Sequence, residues 1–548
     1  MHSYLSPFAD KQPCKYLAVA AAALMLLAAP AFSQQGKPKA SCESLAKLAL
    51  PNTTITMAET VAAGTFKFPA RNTPPALQPV PAPQGAPGAP AALPGPGAPG
   101  GPSGPGTPDT SKWPAFCRIA ATLAPSSDSD IKIEVWLPAD NWNGKFIAAG
   151  NGGWAGSISY QGMAQMLVAG YATTSTDTGH TGNSGAFIIG HPEKFIDYTW
   201  RADHEMTLKA KEIIKAFYGT GPKFSYWIGC SLGGQEALIE AAKFPEDYNG
   251  IVAGAPLNPI VMFNADQMWT AWLINKNPEK LIPGPKWTMI HDAVMKKCGA
   301  PVDLKLGYLT DPNHCDFQPS SLACKGADAA DCLTAPQVEF LTQYYEGPKN
   351  PRTGAHIYHG QPKGAELDMV RGGGVNPAGV AVDMYKYAVF QDPNWDWKTL
   401  DYDKDIDKAD KVVDPLFRAY PNQIAEYLKK GGKLLIHMGG TESFDGSDII
   451  DLVNDAAKQA GPKYKDSIKL FEMPGMNHCG GGLGCDQFDK IGTIDSWVTE
   501  GKTPERIVAS KLANGQPVRT RPICAWPLVS RYKGSGSEDD AASYVCAK

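Results

Sequence analysis

The sequence has no excess of basic residues: 51 Lys and Arg stand against 55 Asp and Glu, which gives a formal net charge of -4. Proteins that bind nucleic acid through its phosphates need clustered positive charge, so this composition argues against that class. Only residues 17–29 form a long apolar run, and no later run reaches the roughly 20 residues of a membrane-spanning helix. What is present, 43% hydrophobic residues in a chain of 548, suffices for a sizeable core and more than one domain.

The apolar run lies in a pattern typical of a secretory signal peptide. Lys11 and Lys15 precede it, and a small-x-small cleavage motif follows at residues 31–33. We therefore predict that residues 1–33 are a signal peptide; the alternative, an uncleaved anchor, is disfavoured because the run is short. Twelve cysteines also fit an oxidising compartment. The expectation is a secreted or periplasmic protein without membrane contact after cleavage.

Proline and glycine are concentrated in one stretch of the chain. Residues 74–108 hold 13 Pro and 8 Gly and contain no aromatic or charged side chain. A segment with nothing to bury predicts a mobile, partly polyproline-like insertion. It interrupts a folded region, because Cys42 precedes it and Cys117 and an alternating strand at 131–137 follow. We interpret it as a tolerated surface insertion, with a wall or surface tether as the alternative.

Strand and helix patterns alternate from residue 145 onward. This order predicts an α/β protein whose parallel sheet carries helices on both faces. Between residues 257 and 413 the regularity fails, and this segment separates two sheet strands. It is predicted to be an inserted second domain over the strand ends, where open α/β sheets place their sites. The predicted strands are 145–149, 166–174, 224–228, 250–253, 433–438 and 468–473, and the predicted helices are 202–218 and a second one ending at 242.

The strongest chemical signal is the sequence GCSLGG at residues 229–234, between a buried strand and a helix. This is the context of the G-x-S-x-G nucleophile elbow, in which a strained turn lifts the serine clear of the sheet. Only small neighbours fit such a turn, which explains Gly229 and Gly233. Ser231 would lie at a helix N-terminus that favours developing negative charge. We predict Ser231 as the nucleophile.

A serine nucleophile needs a histidine base and a carboxylate that orients it, in the chain order Ser, acid, His for this motif. His478, in the glycine-rich sequence MNHCGGG, is the candidate base, whereas His437 lies within a predicted strand and is expected to be a core histidine. Cys230 directly precedes the candidate nucleophile and Cys479 directly follows the candidate base. If Ser231 and His478 are neighbours, these cysteines are placed to bridge and to fix the two loops.

A Cys-Ser pair with a distant His-Cys pair resembles the tannase and feruloyl esterase family of secreted serine esterases. The stretches 175–180, 244–256 and 332–337 resemble family blocks as well, and the resemblance covers most of the mature chain. It implies an α/β-hydrolase fold with a catalytic domain at 34–256 and 414–548 and a lid at 257–413. It also implies hydrolysis of galloyl, feruloyl or related hydroxycinnamoyl or benzoyl esters; one relative acts on a terephthalate monoester.

The same resemblance implies roles for further residues. The oxyanion hole would combine the Leu232 N–H with an amide of Gly152 or Gly153. An ungapped alignment with the family pattern His-Gly-x-x-Asp places Glu442 at the triad acid, and Asp445 and Asp448 stay open as alternatives. In the lid, Arg371 is a candidate for receiving a substrate carboxylate, with a solvated arginine as the alternative.

Cysteine pairing and metal binding follow from the resemblance too. Many family members carry an Asp-rich calcium loop; residues 298–307 correspond to it, but Gly299, Val302 and Leu306 replace three Asp residues. Since calcium takes 6–8 oxygen ligands, we expect no calcium there and no cofactor. Asp303 and Asp311 remain as expected surface acids. The implied disulfides are Cys42–Cys117, Cys230–Cys479, Cys298–Cys315, Cys324–Cys332 and Cys524–Cys546, with Cys485 free.

The sequence thus predicts a secreted serine esterase with a small aromatic ester as its substrate and no nucleic-acid partner. Two alternatives stay open. The first is a serine hydrolase of different acyl specificity, such as a lipase or peptidase, against which the Cys-Ser and His-Cys arrangement argues. The second is a non-catalytic binding protein that keeps the hydrolase fold but has lost its acid; the altered acid and calcium loops motivate it.

Overall fold

The computed structural model describes residues 36–69, 109–367, 369 and 374–548. The predicted signal peptide at 1–33, the insertion at 74–108 and Arg371 lie outside these residues. Among the described helices, none has both the length and the apolar character needed to cross a bilayer.

The centre of the fold is a nine-stranded sheet, counted over the described residues, with the order β1-β2-β3-β5-β4-β6-β7-β8-β9. Six strands, from β5 to β9 in that order, run parallel to their neighbours, whereas β1, β2 and β3 pair antiparallel and β3 also pairs antiparallel with β5. The strands are β1 (Thr53–Val61), β2 (Phe116–Leu123), β3 (Ile131–Pro138), β4 (Lys145–Ala149), β5 (Ala172–Thr176), β6 (Phe224–Cys230), β7 (Gly250–Gly254), β8 (Lys433–Gly439) and β9 (Ile468–Met473). Two hairpin pairs follow: β10 (Arg506–Ala513) with β11 (Gln516–Cys524), and β12 (Val529–Tyr532) with β13 (Tyr544–Ala547).

Helices connect the strands and form the segment between β7 and β8. The α-helices are α1 (Tyr160–Val168), α2 (Pro192–Ile196), α3 (Ala202–Tyr218), α4 (Leu232–Lys243), α5 (Ile260–Lys276), α6 (Gly284–Cys298), α7 (Pro301–Leu306), α8 (Ala335–Glu346), α9 (Gly379–Asp383), α10 (Lys404–Phe417), α11 (Pro421–Lys429), α12 (Ser447–Ala460) and α13 (Lys490–Glu500). Wider π-helical turns at Asp197–Arg201 and Met384–Val389 continue α2 into α3 and extend α9. Short 3-10 turns lie at Glu43–Lys47, Thr110–Lys112, Gly185–Ile188, Pro278–Lys280, Pro312–His314, Pro319–Leu322, Trp397–Thr399, Lys465–Ser467 and Ala541–Ser543.

Strand periodicity divides the core between the two faces of the sheet. Successive strand residues point to opposite faces. In β7, Ile251 packs in the layer with α3, α4 and α11, while Val252 packs in the layer with α1 and α13. Leu434 and Leu435 divide in the same way in β8. The prediction of helices on both faces is therefore confirmed.

Two details of the predicted architecture are wrong. Residues 166–174 do not form one strand: Met166 and Leu167 lie in α1, a turn at Gly170 with φ of 83° follows, and β5 begins only at Ala172. An apolar run of this length suits either element, and here the helix buries Met163 and Leu167 together on one face. The sheet is also mixed rather than parallel, because β1 to β3 are added antiparallel at one edge.

The chain between β7 and β8 is long and mainly helical, as the predicted insertion requires. It includes α5 to α10, and α11 then leads into β8. The proposed boundary between residues 413 and 414 falls within α10 (Lys404–Phe417), so that helix would belong to both parts. The division into a catalytic domain and a lid stays a prediction.

Candidate active site

Ser231 lies in a strained turn between β6 and α4. Its backbone has φ of 62° and ψ of -121°, a conformation that costs L-residues free energy and marks functional turns. The turn depends on glycine: a Cβ at Gly229 would lie 2.3 Å from the Gly233 carbonyl oxygen, and a Cβ at Gly234 would lie 2.1 Å from that of Gly254. The GCSLGG sequence therefore forms the predicted elbow.

The start of α4 directs its first amides toward the elbow. The Ser231 carbonyl accepts hydrogen bonds from the Gly234 and Gln235 amides, both at 3.0 Å, and the Gly233 amide donates to the Asn151 carbonyl at 2.9 Å. Leu232 is the first residue of the helix, so its N–H has no partner four residues earlier in α4. With the positive end of the helix dipole, this amide favours negative charge beside Ser231.

His478 and Glu442 meet at the carboxyl ends of β9 and β8. Their Nδ1 and Oε2 atoms are 2.7 Å apart, and the Glu442 side chain is 1% exposed. The other Glu442 oxygen, Oε1, accepts a hydrogen bond from the Gly439 amide at 3.0 Å. Both carboxylate oxygens are therefore engaged, which fixes the side chain against the imidazole.

The two alternative acids are held elsewhere. The Oδ1 of Asp445 accepts a hydrogen bond from the Ser447 amide at 2.7 Å. The Oδ2 of Asp448 lies 2.9 Å from His359 Nδ1. Among the three candidate acids, Glu442 is the one that contacts His478.

Hydrogen bonds hold the loop that carries Glu442 (the acid loop) against the loop that carries His478 (the base loop). The Thr441 amide and hydroxyl donate to the Met476 carbonyl at 3.0 and 2.8 Å, and the same hydroxyl lies 2.9 Å from Asn477 Oδ1. Gly439 permits this approach, since a Cβ there would lie 2.3 Å from the Met476 carbonyl oxygen. The loops that carry Glu442 and His478 are thus one packed unit.

A disulfide ties the base loop to the elbow. Cys230 and Cys479 are bonded, with their Cα atoms 5.9 Å apart. Ser231 and His478, the neighbouring residues, are therefore close, although they make no direct hydrogen bond in the described structure. Such contacts are often long without substrate and shorten in the reacting complex.

His478 has a raised pKa. Burial disfavours the imidazolium, but the charge of Glu442 and its hydrogen bond to His478 outweigh that effect. A base must be neutral to accept a proton, so we expect turnover to fall as the pH drops through the raised pKa. The kcat/KM profile should show an acid limb above the ordinary imidazole value of about 6.5. An inflection below that value would contradict the proposed His478–Glu442 coupling.

The loop of Gly152 and Gly153 is held by three contacts from its surroundings. The Tyr198 hydroxyl donates to the Gly153 carbonyl at 3.0 Å, and His180 Nε2 lies 2.9 Å from the Trp154 carbonyl oxygen. Trp154 Nε1 donates to the Val380 carbonyl in α9, which joins the loop to the helical segment between β7 and β8. Gly153 has φ of 55°, which favours glycine.

Sequence reasoning missed one acid that supports this loop. The Glu236 carboxylate, on α4, accepts a hydrogen bond from the Asn151 amide at 3.0 Å. Burial raises the pKa of Glu236 to about 7, and the Asn151 bond acts in the opposite direction. An acidic residue on the apolar side of a helix was the available signal.

The structure corrects two further predictions, the position of Asp303 and the hydrogen bonding of His437. Asp303 is buried rather than on the surface: its Oδ2 accepts the Ala300 amide at the start of α7, and its Oδ1 contacts Thr310. His437 is a buried strand residue, but it is not fully hydrogen-bonded, because its Nδ1 has no partner among the described residues. All five implied disulfides are present, and Cys485 is free and buried.

A central α/β sheet with a serine elbow and a His–carboxylate pair at its carboxyl edge defines an α/β-hydrolase. Residues 117–547 match the family model described as tannase and feruloyl esterase. An uncharacterised esterase of Xanthomonas campestris is 30% identical, over 95% of this chain and 93% of its own length. A probable feruloyl esterase B-2 of Aspergillus flavus is 30% identical, over 73% of this chain and 81% of its own length.

A solved structure resembles the fold over nearly its whole length. The crystal structure of feruloyl esterase B from Aspergillus oryzae superposes with a TM-score of 0.79 and 28% identity, covering 92% of this chain and 99% of that one. The chain belongs to the tannase and feruloyl esterase family, and it is a carboxylic ester hydrolase.

Proposed function

We propose that the protein is an exported serine esterase that hydrolyses aromatic carboxylic esters, of the galloyl, feruloyl or related hydroxycinnamoyl and benzoyl kind. Ser231 is the nucleophile, His478 the general base and acid, and Glu442 the carboxylate that orients the imidazole. The single observation that carries the proposal is the 2.7 Å contact between Glu442 and His478 on a loop disulfide-bonded to the Ser231 elbow.

In the acylation half, Ser231 Oγ attacks the ester carbonyl while His478 Nε2 accepts the hydroxyl proton. Glu442 holds the opposite ring nitrogen, which selects the tautomer with a free Nε2 and stabilises the imidazolium that forms. The Leu232 amide and an amide of Gly152 or Gly153 receive the oxyanion. The imidazolium then gives its proton to the leaving alcohol, and an acyl-enzyme remains.

In the deacylation half, His478 accepts a proton from water, and the hydroxide attacks the acyl-enzyme carbonyl. The second tetrahedral intermediate uses the same oxyanion donors. Its collapse returns the proton to Ser231 Oγ and releases the carboxylic acid. The disulfide between Cys230 and Cys479 supports both halves, because it restricts how far base and nucleophile can separate.

The acyl specificity is assigned to the lid at 257–413. Val380 in α9 supports this, because its carbonyl accepts the Trp154 hydrogen bond and its side chain lies 3.7 Å from the Cβ position of Gly153. A lid residue thus borders the proposed oxyanion loop. The presence of feruloyl esterases among the relatives supports the proposal that this chain accepts an aromatic acyl group. Arg371 stays the proposed receptor for a substrate carboxylate and lies outside the described residues.

A hydrolysis panel tests the substrate class. Purified protein is assayed with methyl gallate, methyl ferulate and a terephthalate monoester. A long-chain triglyceride and a peptide amide, each at the same concentration as the aromatic esters, represent the competing substrate classes. We expect kcat/KM to be highest for at least one aromatic ester, since the relatives include feruloyl esterases. A clear preference for the lipid or the peptide would refute the aromatic assignment and favour the alternative acyl specificity.

A further inference from the structure

Acidic side chains cluster between α3 and α4. His204 from α3, Glu240 from α4 and Asp247 from the loop after α4 each offer one donor atom, and these atoms all lie within 4.8 Å of one another. Asp203 and Glu236 are electrostatic neighbours of Glu240. The stretch that corresponds to the family's calcium loop lies elsewhere, at residues 298–307, which include α7.

Several carboxyl oxygens of this cluster have no hydrogen-bond partner among the described residues. Glu240 is 1% exposed, and neither of its oxygens has a hydrogen-bond partner among the described residues. Both carboxyl oxygens of Asp203 and one of Glu236 are likewise buried without a hydrogen-bond partner among the described residues. Lys211 faces the cluster, but its Nζ contacts the carbonyl and one carboxylate oxygen of Asp247, at 2.5 and 3.4 Å. A buried carboxyl group without a partner is costly, and a bound cation would give these oxygens one.

We propose that His204, Glu240 and Asp247 form a binding site for one divalent transition-metal ion of the zinc class. An imidazole with two carboxylates is a ligand set of nitrogen and oxygen that suits zinc, which binds four ligands at about 2.0–2.2 Å. Calcium fits poorly, because it takes 6–8 oxygen ligands. A water would complete the tetrahedron.

The present contacts show how the ion would enter. His204 Nδ1 lies 2.7 Å from Asp247 Oδ2, and ligation of a metal would replace this hydrogen bond. The His204 side chain is 21% exposed, which gives the ion a path from solvent, while Glu240 closes the inner side. Lys211 can keep its bond to the Asp247 carbonyl when the carboxylate turns to the metal.

The ion would have a structural role. Glu240 follows Ser231 by nine residues, which corresponds to roughly 13 Å along α4, too far to touch the reacting atoms. A metal here would join α3, α4 and the loop that leads into β7. We therefore expect metal removal to lower the melting temperature and to leave kcat unchanged, so the site does not depend on the proposed substrate class.

The test begins with the wild-type chain after dialysis against a chelator. Zinc is then titrated by calorimetry, bound metal is counted by elemental analysis, and melting is followed with and without zinc. We expect one zinc per chain and a rise in Tm of about 3 °C at a free zinc concentration near 100 times Kd. Calcium at the same concentration should give no shift. Absence of stoichiometric zinc, or an equal response to calcium, would overturn the proposal.

Variants locate the bound ion. His204→Gln and Glu240→Gln should each abolish the zinc-dependent rise in Tm, because each removes one ligand. Glu205→Gln is the matched control: it removes a carboxylate from the same helix, but Glu205 pairs with Lys209 instead of facing the cluster. Its zinc response should equal the wild type. Zinc binding that survives in both ligand variants would place the ion elsewhere and refute the assignment; if a variant fails to fold, the wild-type titration decides alone.

Discussion

Replacing Ser231 with alanine is expected to lower kcat by about a million-fold, since serine and histidine of a hydrolase triad act as a unit. The substitution removes the attacking Oγ and leaves the elbow otherwise intact. Alanine has the same backbone restriction as serine at φ of 62°, so the turn gains no additional strain. Steady-state kinetics on the best ester of the panel, with a thermal melt as the folding check, measures the effect.

Ser225→Ala is the matched control for this variant. Ser225 is buried in β6, the same strand that leads to the elbow, and its contact with Asn249 is made through the backbone amide. Its hydroxyl is remote from the reacting atoms, so turnover should stay near the wild-type rate. Substantial turnover by Ser231→Ala at wild-type stability would show that another group carries the chemistry.

Exchanging Glu442 for glutamine is expected to lower kcat by about 10,000-fold, because the neutral amide favours the wrong imidazole tautomer. Glutamine has nearly the same shape, and its carbonyl oxygen can still accept the Gly439 amide bond. The loss should therefore come from the missing charge beside His478. Comparison of kcat and melting temperature with the wild type separates this effect from misfolding.

Asp445→Asn and Asp448→Asn are the controls from the same loop and helix. Each removes one carboxylate charge, but Asp445 serves the Ser447 turn and Asp448 contacts His359. Both variants should keep kcat near the wild-type value. Loss of activity in Asp445→Asn with a functional Glu442→Gln would mean that the acid has been assigned to the wrong residue.

Short-range signals made the nucleophile elbow predictable. Gly229, Ser231 and Gly233 must occupy fixed positions in a tight turn, so their spacing alone carries the geometry. The triad acid was harder to predict than the elbow, because it lies in a loop after β8 whose path the sequence does not give. Which of three carboxylates faces His478 depends on tertiary contacts, such as the Thr441 bond to the Met476 carbonyl, that no local pattern encodes.

The errors in the predicted fold have physical causes as well. Residues 166–174 read as a strand because an apolar run does not distinguish a buried helix end from a buried strand. Strands β1 and β2 were not predicted, and the antiparallel direction of β3 was missed because alternation identifies a strand but not its orientation. Asp303 was placed on the surface because acidic residues are usually exposed, whereas here the carboxylate caps α7 from the interior.

The buried acids between α3 and α4 were visible in the sequence but not interpreted. Asp203 precedes Met206 by three residues, on the buried side of α3, and Glu236 and Glu240 share one side of α4. A charge within an apolar stripe marks an exception to ordinary helix patterning. Only the tertiary structure shows that these exceptions meet each other.

The most direct test of the central claim is covalent labelling by a fluorophosphonate probe, followed by mass spectrometry of the digested protein. Such probes phosphonylate a serine only when a base activates it. We predict one label per chain, on Ser231, with strongly slowed labelling in Glu442→Gln and none in Ser231→Ala. A correctly folded wild-type protein that takes up no label, or takes it up on another residue, would contradict the account.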